Sequence, residues 1–301
     1  MLSGKTNMDM DNLTIRKVYT ITLNHFMNTI PYESIKKMYE YGYNCLDLSV
    51  TNFSFQDVYD ISNIPDCITE LNIQFTDGVT LQGIDNLPHS LKILKLRNFK
   101  NNICFDNLPS SLEVLFIYTR HYTEQINKPL DNLPSNLKIL YIESEEFNQS
   151  LLNLPKTLET LCIFSNQNIY NKNTLQLPNN LKYFNCNCID YSDEMFDFPN
   201  TLEFLYLDNK TKKDVVFRNK LPNSLKQFGV GYNVILDYDK IPTLLDTLVY
   251  IRDLSIFNKH MKLRRKMYEN HKPLIANCSG CKMLNYKFTL ITFDKCCCNE
   301  W

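Results

Sequence analysis

Hydrophobic residues recur along the chain in a short phrase, Leu-Pro-x-x-Leu-x-x-Leu-x-Ile, which is clearest within FNQSLLNLPKTLETLCI at residues 147–163. Its second half alternates apolar and polar positions, which predicts a short β-strand with two side chains pointing into a core. The proline has no N–H to donate, so it predicts a turn that leads into the strand. One such unit cannot bury its own apolar side, and the pattern therefore predicts stacked repeats.

The phrase occurs nine times, and each copy begins with an apolar residue followed by proline. The copies begin at Ile64-Pro65, Leu87-Pro88, Leu108-Pro109, Leu133-Pro134, Leu154-Pro155, Leu177-Pro178, Phe198-Pro199, Leu221-Pro222 and Ile241-Pro242. This L-x-x-L-x-L pattern is the signature of leucine-rich repeats. It predicts a mainly β solenoid with one curved parallel sheet on the concave face, irregular or 3₁₀ convex returns, and helical elements at both ends.

Charge alternates at the residue after the first leucine of each strand phrase. From the second copy onward this position reads Lys92, Glu113, Lys138, Glu159, Lys182, Glu203, Lys226 and Asp246. The spacing of the prolines alternates as well, so that two repeats form a doublet of about 44 residues. Because neighbouring parallel strands lie about 4.8 Å apart, we expect a ladder of opposite charges that favours the correct register.

The doublet, together with Phe147-Asn148-Gln149 before Leu151 and Leu154-Pro155, resembles the FNIP repeat, a leucine-rich-repeat variant of social amoebae and amoeba-infecting giant viruses. The resemblance covers residues 60–252. It implies an interaction scaffold, and some viral members also carry an N-terminal F-box that would make them substrate receptors of ubiquitin ligases.

The array predicts three segments: an N-terminal cap at 1–60, the nine repeats at 61–252, and a C-terminal capping helix with a Cys-rich tail at 253–301. In the first segment, the residues from Pro31 to Gly42 predict a helix that Thr29 caps, with Ile35, Met38 and Tyr39 on one face. A cap is favoured over an F-box, because no Leu-Pro-x-Glu-Ile opening with paired helices is visible.

The non-leucine positions of each strand are expected to face outward on the concave wall, where they would form three exposed columns. Aromatic residues of these columns form a predicted partner-binding patch of Phe116, Tyr118, Tyr141, Phe164, Tyr183, Phe204 and Tyr206. Contiguous exposed aromatic surface is typical of interaction hot spots. The alternative is that aromatic residues occur here because they favour strands.

The C-terminal segment offers two further hypotheses. Residues 255–270 predict a basic helix that caps the array, with nucleic-acid binding as the alternative. Cys278, Cys281, Cys296 and Cys298 have the spacing of a Cys₄ structural zinc site, against the alternative of an unstructured tail. No other cofactor is expected.

Composition narrows the functional classes. The net charge of −1 gives no general bias toward nucleic acid or membranes. No apolar run approaches 18 residues, and the sequence predicts neither a signal peptide nor a membrane span. We therefore expect an intracellular, cytoplasmic protein, in the host cytoplasm if viral. The sequence contains no glycine-rich phosphate loop, no G-x-S-x-G and no H-E-x-x-H motif. The leading prediction is a non-catalytic scaffold that binds a protein partner on its concave face. The alternatives are a ubiquitin-ligase substrate receptor and a nucleic-acid binder.

Overall fold

The computed structural model describes residues 6–7, 16–23, 29–51, 58–75, 79–99, 104–119, 127–165, 174–187, 197–207, 215–217, 220–231, 234–236, 242, 245 and 247–251. These residues fall into two units. The first comprises the described residues up to 165 together with 174–181, and the second comprises those from 182 onward.

The first unit is a sheet of stacked parallel strands. Its strands are β1 (Thr6–Asn7), β2 (Arg16–Leu23), β3 (Cys45–Val50), β5 (Glu70–Phe75), β7 (Ile93–Arg97), β8 (Val114–Thr119), β9 (Ile139–Ser144) and β10 (Thr160–Phe164), in that spatial order. Only β1 runs antiparallel to its neighbour, β2. The described strands of this sheet therefore follow the order of the chain, as in a solenoid.

The second unit has the same arrangement. Its parallel sheet is formed by β11 (Tyr183–Cys186), β12 (Phe204–Leu207), β14 (Gln227–Gly231) and β16 (Thr247–Ile251). The nine copies of the phrase thus give nine strands, β5, β7 to β12, β14 and β16, as the sequence predicted. The mainly β solenoid of leucine-rich-repeat type is confirmed.

A tight turn precedes each of these nine strands. In every copy the proline carbonyl accepts a hydrogen bond from the N–H of the leucine or isoleucine three residues later, for example Leu112 N to Pro109 O at 3.0 Å and Leu158 N to Pro155 O at 3.1 Å. Proline has no backbone N–H, and the turn requires no N–H donor at this position. The chain can therefore place proline directly before the strand.

A second ladder joins the turns of successive repeats. Ser111 Oγ donates to Leu91 O at 2.7 Å, and Ser224 Oγ donates to Leu202 O at 2.7 Å. The Thr157 hydroxyl lies within hydrogen-bond distance of two carbonyls of the preceding repeat. These small polar residues satisfy backbone carbonyls at the strand entrance, and they explain why Ser, Thr or Asn precedes the leucine in most copies.

The core consists of the leucine and isoleucine side chains of the repeats. In the first unit Leu94, Leu115, Leu140 and Leu161 stand in register on adjacent strands and are fully buried. Phe147, the first residue of the FNIP-like phrase, is fully buried as well, and its carbonyl accepts a hydrogen bond from Ser165 Oγ at 2.7 Å.

The predicted charge ladder is present along the strand entrances. Glu113 lies 4.0 Å from Lys92 Nζ and 2.7 Å from Lys138 Nζ, measured from its carboxylate oxygens. In the second unit Lys226 Nζ lies 2.6 Å from Glu203 Oε2. Each contact joins neighbouring repeats, so the alternation of charge matches the register of the strands.

The N-terminal segment combines a helix with three strands of the main sheet, β1, β2 and β3. Helix α1 (Tyr32–Tyr41) ends at Gly42, whose φ of 64° is left-handed, as predicted. The predicted cap at Thr29 is wrong: Pro31 itself is the N-cap residue, in an extended conformation without a side-chain hydrogen bond. Met38 is buried, but Tyr39 is exposed and donates a hydrogen bond to Asp66 Oδ1 at 2.7 Å.

The described parts of the returns contain short strands as well as turns. Strands β4 (Val58–Asp60) and β6 (Thr80–Gln82) pair in parallel, and so do β13 (Val215–Phe217) and β15 (Val234–Leu236). A 3₁₀ helix spans Ile84–Asn86. The expectation of irregular or 3₁₀ returns therefore overlooked these small sheets, which need only three residues each and leave little trace in hydrophobic periodicity.

Candidate partner-binding face

The sheet of the first unit presents its non-leucine side chains on the face opposite the leucine core, which we call the non-leucine face. Strand pairing places these side chains in three columns. On β7 to β10 the columns are Ile93, Val114, Ile139 and Thr160; Lys95, Phe116, Tyr141 and Cys162; and Arg97, Tyr118, Glu143 and Phe164. The register is the one that the repeated phrase predicts.

Aromatic rings stack from strand to strand along this face. The rings of Phe116 and Tyr141 are 4.2 Å apart and nearly parallel, at 9°. Phe164 lies 5.5 Å from Tyr141 in a tilted arrangement, and the Arg97 guanidinium lies 5.0 Å above the Phe116 ring. The Tyr141 hydroxyl donates to Glu143 on its own strand. The structure therefore brings Phe116, Tyr141 and Phe164 together as one stack.

The middle column is much less exposed than the sequence suggested. Phe116 is 7% exposed, Tyr141 8% and, in the second unit, Tyr206 6%. Tyr118, Phe164, Tyr183 and Phe204 keep an intermediate exposure. The prediction of three exposed columns is wrong for the middle one, because large side chains on strands less than 5 Å apart cover one another. Of the predicted patch, the four residues of the outer columns are the accessible part.

A second aromatic cluster lies in the second unit. The Tyr183 ring is 6.0 Å from Phe204 and 5.7 Å from Tyr206. Tyr206 donates its hydroxyl hydrogen to Gln227 Oε1 at 2.7 Å, and its ring lies against Gly229 on β14. The hydrogen bond to Gln227 and the space left by Gly229 together hold the Tyr206 ring against β14.

A buried ion cluster lies on the same face of the first unit, toward β2. Arg16 donates two hydrogen bonds of 2.8 Å to the two carboxylate oxygens of Glu70, and Lys95 Nζ lies 3.6 Å from Glu70 Oε1. Glu70 is only 7% exposed and Lys95 only 4%. Buried charges are tolerated when they are paired and hydrogen-bonded, as they are here.

The pKa shifts of this cluster follow from its geometry. Burial disfavours the charged form of Glu70, but the hydrogen bonds and charge of Arg16, and then the charge of Lys95, outweigh it and lower the carboxyl pKa. Burial lowers the pKa of Lys95, and Glu70 offsets part of that effect. Burial and the Glu70 charge raise the pKa of Cys45 to about 12, so its thiol stays protonated and unreactive.

Sequence reasoning missed this cluster. Arg16 and Glu70 are 54 residues apart, and Arg16 precedes the repeats. The one available signal is that Glu70 and Lys95 are charged residues within strands that are otherwise mainly apolar. Among the described residues no group of three or more His, Cys, Asp or Glu side chains is arranged to hold a metal ion. The predicted zinc ligands Cys278, Cys281, Cys296 and Cys298 and the basic helix lie outside the described residues.

Comparison with known proteins supports the repeat assignment. Residues 83–119 match the family model described as FNIP Repeat. The match spans the copies that begin at Leu87-Pro88 and Leu108-Pro109, so the resemblance first seen at Phe147 extends to other repeats. A comparison with curated proteins found no match.

One similar solved structure is described as that of CroV588, a novel circular LRR protein. It is 18% identical, with a TM-score of 0.47, and the alignment covers 82% of the present chain. The chain spans 41% of that protein's length. No helix within the described residues is long and apolar enough to cross a membrane.

Proposed function

We propose that the chain is a non-catalytic protein-interaction scaffold that binds its partner on the non-leucine face, the concave face of a leucine-rich-repeat solenoid. The observation that carries the proposal is the ordered aromatic surface on this face. Repeat arrays use such extended surfaces for binding, and large aromatic side chains dominate binding energy in protein interfaces.

The accessible aromatic residues are the ones expected to contact the partner. Tyr118 and Phe164 stand beside the buried Phe116–Tyr141 stack, and Tyr183 and Phe204 stand beside Tyr206. The buried rings fix the positions of their neighbours and reduce the entropy that binding would otherwise lose. The predicted patch thus divides into contact residues and supporting residues.

Two double variants test the proposal: Tyr118→Ser with Phe164→Ser in the first unit, and Tyr183→Ser with Phe204→Ser in the second. Leu152→Ser removes an exposed apolar side chain outside the sheet and serves as the control. A partner is first captured with the intact chain, then purified and titrated against each variant. At least one double variant should weaken binding tenfold or more, while Leu152→Ser leaves it unchanged. Equal affinity of all variants would refute the proposal.

A second candidate function is a substrate receptor that recruits a ubiquitin-ligase adaptor through residues 1–60. The observation in its favour is that helix α1 exposes Tyr32 and Tyr41, at 75% and 61%. Co-purification of an adaptor that is lost in the Tyr32→Ser, Tyr41→Ser variant would support this function. Retention of the adaptor by that variant would exclude α1 as the docking site.

A further inference from the structure

Gln227 lies in the same column of the second sheet as the accessible aromatic residues. It stands opposite Phe204 on the neighbouring strand, and Phe204 stands opposite Tyr183. All three side chains are partly exposed. A partner surface that covers Phe204 therefore also covers Gln227, because adjacent parallel strands lie only about 4.8 Å apart.

Tyr206 fixes the orientation of the Gln227 amide. The Tyr206 hydroxyl donates to Gln227 Oε1 at 2.7 Å, which is the one hydrogen bond of the Gln227 side chain within the described residues. The Tyr206 ring is itself held in place, because it is 6% exposed and fills the space that a side chain at Gly229 would need. With its oxygen bound by the hydroxyl, the amide directs its NH₂ group away from Tyr206.

This NH₂ group restricts what can cover it. Its two N–H donors have no acceptor in the part of the chain that the structure describes. Covering them with an apolar surface would leave buried donors without hydrogen bonds, which costs free energy. A partner on this side of the sheet therefore needs an acceptor oxygen beside Gln227.

We propose that Gln227 is a specificity-determining residue of the partner-binding face, and that its NH₂ group donates a hydrogen bond to a carbonyl oxygen of the partner. Tyr183 and Phe204 supply apolar contact area, whereas the amide selects partners that present a carbonyl group beside them. Tyr206 acts as a positioning residue for the amide. This inference rests on the proposed scaffold function and adds a polar contact to the aromatic one.

The probe for the test is a set of decapeptides selected from a random library on the full-length chain. Peptides that also bind the Tyr183→Ser, Phe204→Ser variant are discarded, so that the remaining peptides depend on the aromatic residues of the second unit. Each remaining peptide is then synthesised and titrated against the intact chain and three further variants.

The three variants separate the two roles that Gln227 could have. Gln227→Met removes both the NH₂ donor and the acceptor for Tyr206. Gln227→Glu keeps an acceptor for the Tyr206 hydroxyl but replaces the NH₂ group with a second oxygen. Asn223→Asp makes the same amide-to-acid change at an exposed position in the turn before β14, and it is the matched control. Thermal unfolding confirms that each variant is folded.

The peptides should bind Gln227→Met and Gln227→Glu about tenfold more weakly than the intact chain, and Asn223→Asp equally well. A residue that acted only by holding Tyr206 would give a different result, because Gln227→Glu retains that hydrogen bond and would bind normally. In the intact chain with isotopically labelled glutamine, saturation with a peptide should slow the exchange of the Gln227 side-chain amide protons with water.

Failure of the inference and failure of the scaffold function give different results. Peptides that depend on Tyr183 and Phe204 but bind Gln227→Glu as tightly as the intact chain would refute the role of Gln227 and leave the scaffold function intact. Unchanged exchange of the Gln227 amide protons would refute that role as well, and this measurement decides if a variant is unfolded. A selection that yields no peptide dependent on Tyr183 and Phe204 would count against both.

Discussion

The ring of Tyr206 occupies the space that a side chain at Gly229 would need. A Cβ atom on Gly229 would lie 2.9 Å from Cε1 of the tyrosine and closer still to Cδ1. The two residues stand opposite each other on β12 and β14, so the missing side chain of the glycine leaves room for the tyrosine ring.

Replacement Gly229→Ala should therefore destabilise the second unit. The new methyl group displaces the Tyr206 ring and strains its hydrogen bond to Gln227, and overpacking of this kind costs about 1–3 kcal/mol. Urea unfolding measures the loss. The same replacement should cost much less in a Tyr206→Ala background, and an equal loss in both backgrounds would show that the contact is unimportant.

Replacement Glu70→Gln should be strongly destabilising at neutral pH. It removes the Glu70 carboxylate from the buried Lys95 and from Arg16, and breaking a buried ion pair from one side costs about 3–5 kcal/mol. Denaturant unfolding at pH 7 measures the effect. Adding Lys95→Met should recover part of the loss, because it removes a buried positive charge that Glu70 no longer balances. A double variant as unstable as Glu70→Gln would contradict this account.

The contribution of Glu70 should depend on pH in a defined direction. Its pKa is lower in the folded protein than in the unfolded chain, where a glutamate has a pKa of about 4.3. The stabilisation is therefore complete above that value and disappears as the pH falls through the folded pKa. Unfolding experiments from pH 7 down to pH 3 should show the difference between wild type and Glu70→Gln shrinking. A constant difference would mean that Glu70 does not titrate as described.

Inverting one position of the charge ladder should weaken the fold in a salt-dependent way. In Glu113→Lys, three lysines of adjacent repeats face one another in place of an alternating row. The midpoint of thermal unfolding should fall at low ionic strength and recover toward the wild-type value in 1 M salt, where the screening length is about 3 Å. Glu113→Gln is the control, because it removes the attraction between opposite charges without adding repulsion. If the midpoint of thermal unfolding of Glu113→Lys fell equally at both salt concentrations, an electrostatic cause would be excluded.

The side-chain hydroxyl groups that join the turns of successive repeats can be tested with two adjacent serines, Ser110 and Ser111. Ser111→Ala removes a 2.7 Å hydrogen bond to Leu91 O and should cost about 1 kcal/mol of unfolding free energy. Ser110→Ala changes an exposed neighbour and should cost almost nothing. Chemical denaturation of both variants makes the comparison, and equal losses would show that the hydrogen bond does not contribute.

The repeated phrase predicted the regular part of the fold because each copy carries its own local signals. Pro134 and Leu137 define a turn, and Leu140 and Ile142 define the strand that follows. The alternation of Lys92, Glu113 and Lys138 predicted which charges would meet. These features depend on neighbours in sequence or on a fixed period, and both can be read directly.

The features that the sequence did not predict depend on contacts without a period. The Arg16–Glu70–Lys95 cluster joins a strand outside the array to the first two repeats, and no spacing indicates it. The burial of Phe116 and Tyr141 follows from the mutual cover of their rings, which alternation along one strand cannot show. The binding site residues remain predictions, now divided between accessible side chains and the rings that support them.

The alternating charges have a consequence for how the array could lengthen or shorten during evolution. Deletion of the single repeat that carries Glu113 would bring Lys92 next to Lys138, whereas deletion of two consecutive repeats restores a pair of opposite sign. The chain therefore tolerates duplication and loss more readily in steps of two repeats. Adding or removing an even number of repeats keeps lysine next to an acidic residue, whereas an odd number places like charges side by side.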